Sequence, residues 1–112
     1  VLRDNPKAPK GTLDCIERAI GDRRPAGPAC ALPRSEVLDA YPDIAAVAAR
    51  RLNRPNVGVA DLTEFYCDKK LCYPVIGGLL VTSDTSHLTP AFSSTLAPYL
   101  LRAIDRGRWL ER

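Results

Sequence analysis

Methionine is missing from this chain altogether, and histidine and tryptophan occur once each, at His87 and Trp109. Aromatic residues are only 6% of the total and are not interleaved with basic ones, so no platform for stacking nucleobases is visible. Excess charge is slight. A net +3 spread along the chain is not the concentrated basic stripe of a nucleic-acid footprint, and no nucleic acid is expected as a partner. Long apolar runs are lacking too. The best candidate, Tyr73 to Val81, reaches about half of the roughly 20 residues a membrane span needs and is broken by Gly77-Gly78. The opening Val-Leu-Arg-Asp has neither the charged start nor the apolar stretch of a signal peptide. With no initiating Met, the expectation is a piece of a longer polypeptide. What remains is ordinary globular material, 46% hydrophobic and 26% charged over 112 residues, enough for one small domain, residues 1–112.

Cysteine is the first positive signal. Cys15, Cys30, Cys67 and Cys72 provide one close pair and one distant pair. Structural zinc usually takes two close pairs, or a Cys pair with a His pair, so this spacing fits a metal site poorly and no metal is expected. Two disulfides fit better, with Cys15–Cys30 and Cys67–Cys72 favoured because each closes a short loop among Pro and Gly. Four cysteines allow three pairings, and four free thiols in a reducing compartment is the competing reading. Disulfides imply an oxidising compartment.

Along the chain, Val1-Leu2 reads as the end of a strand, and 5–11 as a loop punctuated by Pro6, Pro9 and Gly11. A short helix is expected over 13–20, ended by Gly21. Ser35 is expected to cap a helical turn that Tyr41-Pro42 interrupts. A helix from about Pro42 to Asn53 follows, with Ile44, Val47, Ala48 and Leu52 on its buried face. Val57 to Leu62 and Val75 to Thr82 read as strands, the latter apolar on both faces like a buried parallel strand. Thr89-Pro90 signals a capped helix start, with Phe92, Leu96, Leu100, Ala103 and Ile104 inward and Pro98 expected to kink or divide the helix. The tail 106–112 is basic apart from Glu111, with Trp109 expected to pin it. Strand, helices, strand, strand, helix in this order predict an α/β layered sheet.

The sharpest chemical feature is Ser83-Asp84-Thr85-Ser86-His87-Leu88-Thr89-Pro90, between the end of a strand and the start of the last helix. Ligands of α/β sheets bind outside the carboxyl ends of strands. An Asp and a His three positions apart can turn their side chains to one side. Asp84 would then accept the Nδ1–H of His87 and leave Nε2 free as a base. The expected geometry is a carboxylate oxygen within about 3.5 Å of Nδ1, at the rim of a cleft. The competing reading is a local turn closed by Asp84, with His87 an ordinary loop histidine.

Tyr73-Pro74-Val75-Ile76-Gly77-Gly78 through Asp84-Thr85-Ser86-His87-Leu88-Thr89 resembles the last block, Asp-x-x-His, of SGNH hydrolases. More narrowly, nearly the whole chain resembles the extracytoplasmic SGNH domain fused to acyltransferase type 3 membrane proteins, especially actinobacterial ones. Arg3-Asp4-Asn5-Pro6, the Cys15 to Cys30 loop, Asn56-Val57, Asp61-Leu62-Thr63 and the Cys67 to Cys72 pair carry the likeness.

That resemblance implies the C-terminal portion of a three-layer α/β/α, flavodoxin-like fold with parallel strands, its N-terminal strands lying outside this chain. It assigns Asp84 and His87 to a Ser-His-Asp triad whose serine and oxyanion hole come from earlier blocks. Neither block is here: Gly21-Asp22 is followed by Arg23, no Gly precedes Asn5 by two, and Ser35, Ser83, Ser86, Ser93 and Ser94 lack the strand-to-turn setting of a nucleophile. The implied function is O-acyl transfer from a membrane-delivered acyl donor to an envelope carbohydrate or glycolipid. It needs no cofactor, acts at the extracytoplasmic face, and has as partners the upstream half of the domain and the membrane-embedded acyltransferase portion. The chain alone is expected to be inert. A secreted SGNH esterase and a non-catalytic envelope binding module are the alternatives.

Overall fold

The computed structural model describes residues 1–109. Helix α1, Thr12–Gly21, follows a left-handed Gly11 at φ 91° and buries Ile16 and Ala19. The chain then reverses at Arg23, whose φ is 56°, rather than at Gly21. A one-turn helix α2, Ala26–Ala29, comes so close to the next layer that a Cβ on Gly27 would lie 2.6 Å from the Val75 carbonyl oxygen. The Cys15–Cys30 disulfide ties α1 to the end of α2, and with Ile16 and Ala19 it makes a small satellite core.

Strand β1, Leu32–Pro33, pairs antiparallel with β2, Leu71–Cys72. Between them a five-residue π-helical turn, Ser35–Asp39, sends Val37 and Leu38 into the main core. Ser35 does not cap this turn; Arg34 holds the capping position and no side chain bonds there, which corrects the expected Ser35 cap. Helix α3, Ile44–Leu52, begins where Asp43 accepts the Ala46 N–H at 3.0 Å. It ends at Asn53, in the left-handed region at φ 47°.

The face that α3 buries is not the expected one. Ala46 and Ala49 point inward, whereas Ile44 is 81% exposed and Val47 and Leu52 are exposed as well. The buried residues of this helix are small, and its larger apolar residues face solvent.

Val75 to Thr82 is not one buried parallel strand. Val75–Ile76 (β3) and Leu79–Leu80 (β4) form an antiparallel hairpin. Gly77 and Gly78 sit between them with φ of 59° and 76°. Two successive positive φ angles make the two-residue hairpin turn whose twist suits the strands, and glycine adopts both without strain. Val57 to Leu62 is likewise no regular strand. It contributes one parallel bridge, Ala60 to Leu2, extended by Val1 and Arg3 backbone bonds of 2.8–2.9 Å to Gly58 and Ala60. Both named sheets are therefore short and antiparallel, and among the described residues parallel pairing is confined to this edge.

Helix α4, Pro90–Gly107, closes the chain. Thr89 accepts the Phe92 N–H at 3.2 Å and donates to the Leu80 carbonyl at 2.5 Å, so the cap joins the helix to β4. Phe92 and Leu96 are buried, and Leu100, Ala103 and Ile104 half-buried. Pro98 does not divide the helix. It and Ser94, whose carbonyl loses its helical donor, are both exposed, so water can satisfy the freed group. Trp109 lies against Gly58 and Gly107, where a methyl on either glycine would overlap its ring, so the expected anchor is present. The rest of the basic tail, 110–112, lies outside the described residues.

The main core joins Val37, Leu38, Leu62, Tyr66, Val81, Phe92 and Leu96 around the Cys67–Cys72 disulfide. All four cysteines are thus bridged, in the pairing favoured from the spacing, and no thiolate is left for a metal. No helix among the described residues is long and apolar enough to cross a membrane.

Candidate active site

After β4 the chain makes a tight excursion from Thr82 to Leu88, closed by the Thr82–Leu88 bridge and by Ser83 N–H donating to the His87 carbonyl at 2.9 Å. Asp84 organises it. Its Oδ1 accepts the N–H of Ser86 at 2.8 Å and of His87 at 2.7 Å, and its Oδ2 lies 2.8 Å from His87 Nδ1. One oxygen of this carboxylate thus closes the local turn, and the other meets the imidazole.

Those three hydrogen bonds, led by the backbone donors of Ser86 and His87, hold the Asp84 carboxyl down at about 2. The carboxylate is ionised at any ordinary pH. Its Oδ2 therefore accepts from Nδ1–H, which places the imidazole's lone pair on Nε2. No group among the described residues hydrogen-bonds Nε2, and the His87 side chain is 79% exposed.

Serines stand nearby without the geometry of a nucleophile. Ser86 Oγ is 3.5 Å from His87, but from Nδ1, the nitrogen that faces Asp84. Ser83 Oγ points to the His87 carbonyl at 3.4 Å. A base that works through Nε2 reaches neither. Asp84 also lines a shallow cavity of about 140 Å³ with Pro9, Lys10, Leu13, Leu80 and Thr82, while His87 is not among its lining residues. Asp84, rather than His87, borders that cavity.

The N-terminal motif Arg3-Asp4-Asn5-Pro6 turns out to support this turn from the far end of the sequence. Asn5 Nδ2 donates to the Ser86 carbonyl at 3.0 Å, and Ala8 N–H donates to the Thr85 carbonyl at 2.9 Å. Arg3 meanwhile bonds Thr63 at 2.9 Å, and Thr63 bonds Asp61, which explains the Asp61-Leu62-Thr63 motif as local scaffolding. No pattern in the linear sequence signals the Asn5 contact, because its partner is a backbone carbonyl 81 positions away.

Searches among curated proteins and among solved structures returned no match. A family model described as the SGNH domain fused to AT3 domains matches residues 1–102, from the Arg3 motif through the Asp84–His87 turn and most of α4. The chain therefore belongs to the family of SGNH domains that occur fused to AT3, or acyltransferase 3, domains.

Proposed function

We propose that the chain is the C-terminal portion of an SGNH-type O-acyltransferase domain and supplies the acid–histidine half of a Ser-His-Asp triad. The observation that carries this reading is the 2.8 Å pairing of Asp84 Oδ2 with His87 Nδ1, which leaves Nε2 open toward solvent. In the proposed cycle Nε2 takes the proton of a serine hydroxyl from the preceding part of the polypeptide as its oxygen attacks the donor's acyl carbon. The imidazolium, stabilised by Asp84, returns that proton to the departing group. In the second half Nε2 takes the proton of a carbohydrate hydroxyl as its oxygen attacks the acyl-serine carbonyl, and the imidazolium then gives that proton to the departing serine oxygen.

The larger setting is part of the same proposal: a layered α/β domain of the actinobacterial type, in a membrane-anchored parent, at the extracytoplasmic face. Two disulfides accord with an oxidising compartment. The solvent-facing Ile44, Val47 and Leu52 of α3 accord with a further layer packing there.

The test is steady-state turnover of p-nitrophenyl acetate by the 112-residue chain and by a longer polypeptide that adds the serine-bearing segment. The chain alone should not exceed the background of a free imidazole. The longer polypeptide should, and a carbohydrate acceptor should divert the acyl group from water. Robust turnover by the 112 residues would contradict the reading and turn attention to Ser86 and Ser83.

A further inference from the structure

We propose that Asn5 is a positioning residue for the Asp84–His87 pair, acting through the peptide group that joins Ser86 to His87. This rests on the triad reading for its catalytic consequence, though not for its geometry. The Ser86–His87 peptide is held on both edges: its N–H donates to Asp84 Oδ1 at 2.7 Å and its carbonyl accepts from Asn5 Nδ2 at 3.0 Å. The preceding peptide, Thr85–Ser86, is held in the same way, its N–H on Asp84 Oδ1 at 2.8 Å and its carbonyl on Ala8 N–H at 2.9 Å. Two successive peptide planes are thus clamped between the carboxylate on the inside and the loop 5–8 on the outside.

Clamping matters because packing does not do the job. With 79% of the His87 side chain exposed, no apolar wall fixes its rotamer. The imidazole meets Asp84 only if its Cα sits where the turn puts it, and the turn is four exposed or half-buried residues, 84–87. Asn5 suits the task. It is half-buried, its second Nδ2 hydrogen goes to the Pro6 carbonyl at 3.1 Å, and both partners are carbonyl oxygens, so only the NH2 end of the amide fits there.

The loop that carries Asn5 is itself anchored. Asn5 N–H donates to Asp4 Oδ1, Asp4 N–H to Asp43 Oδ2 at 2.7 Å, and Lys7 N–H to the Val37 carbonyl at 2.8 Å. Asp43 is the residue that caps α3. The cap of α3, the Arg3-Asp4-Asn5-Pro6 motif and the Asp84–His87 turn therefore form one hydrogen-bonded series, with Asn5 as the link that reaches the turn by a side chain.

The test uses Asn5→Ala, which removes the donor, and Asn5→Asp, which keeps the shape but sets an acceptor against two carbonyls. Long-range proton–nitrogen NMR of the His87 ring reads the neutral tautomer, and amide exchange reads the Ser86 and His87 N–H groups. In the unsubstituted chain Nδ1–H should dominate. In both variants the Nδ1–H population should fall, and exchange at the His87 amide should speed up by roughly tenfold, as for the loss of one hydrogen bond. In a serine-bearing polypeptide the same variants should lower kcat by on the order of 10- to 100-fold with KM little changed. An altered tautomer with unaltered kcat would contradict the triad reading and leave the positioning role standing. An unaltered tautomer in a folded Asn5→Ala chain would overturn the positioning role. So would collapse of the fold in both variants, since Asn5 would then be a general structural residue.

Discussion

Asp84 does two things with one carboxylate, and its ionisation is where they can be separated from those of an ordinary surface aspartate. Three hydrogen bonds favour its charged form and set its pKa at about 2, below the 3.8 of an unconstrained aspartate. The folded value is the lower one, so whatever stability the turn draws from these bonds is full above the unfolded pKa. It is lost as pH falls through about 2. Above about pH 4 the histidine therefore always faces an anion, and an acid limb in a rate profile at higher pH belongs to another group. Carboxyl-carbon NMR should find the Asp84 midpoint near 2, with the Ser86 and His87 amide shifts following the same curve. A midpoint close to 3.8, with those amides unresponsive, would mean that the turn is not held by Asp84.

Elements differ in how far their residues announce them. The start of α4 was legible because Thr89-Pro90 carries its own instructions: a side-chain acceptor for the first free N–H groups, then a residue with no N–H to satisfy. Asp84 and His87 were legible for the same reason, since a three-residue spacing in a turn needs no distant partner. The hairpin at 75–80 was not, because an apolar run reads alike as one buried strand or as two short strands. What decides is that Gly77 and Gly78 both turn to positive φ. The buried face of α3 is not legible because periodicity finds the largest apolar stripe, whereas the residues this helix buries are the small Ala46 and Ala49. The Asn5 contact with the turn is not legible, because its partner is backbone and therefore leaves no mark on sequence. The joint between β4 and α4 gives a direct test at this scale. Thr89→Ala removes the cap on Phe92 N–H and the bond to the Leu80 carbonyl together. The expected loss is about 1–2 kcal/mol, read as a fall in Tm of several degrees by circular dichroism. A Tm unchanged within error would show that the cap is dispensable.

At the scale of the whole molecule the chain is elongated, 52 Å along its longest axis with a radius of gyration of 15.5 Å, against about 13 Å for a compact domain of about 100 residues. Two small disulfide-bearing cores hold it, and the largest apolar residues of α3 lie outside both. At the site, Asp84 holds His87 through Nδ1, and no serine among the described residues hydrogen-bonds its Nε2. The central claim is that His87 is the base of the triad. It is tested most directly by kcat for p-nitrophenyl acetate in the serine-bearing polypeptide, with and without His87→Ala, after non-reducing peptide mapping has shown Cys15–Cys30 and Cys67–Cys72 intact in both. The account predicts a fall of about 1,000-fold or more, as expected when a triad loses one member. A kcat within about threefold of the unsubstituted enzyme, far short of that loss, would contradict it and leave Asp84 and His87 as a turn that leads into a helix.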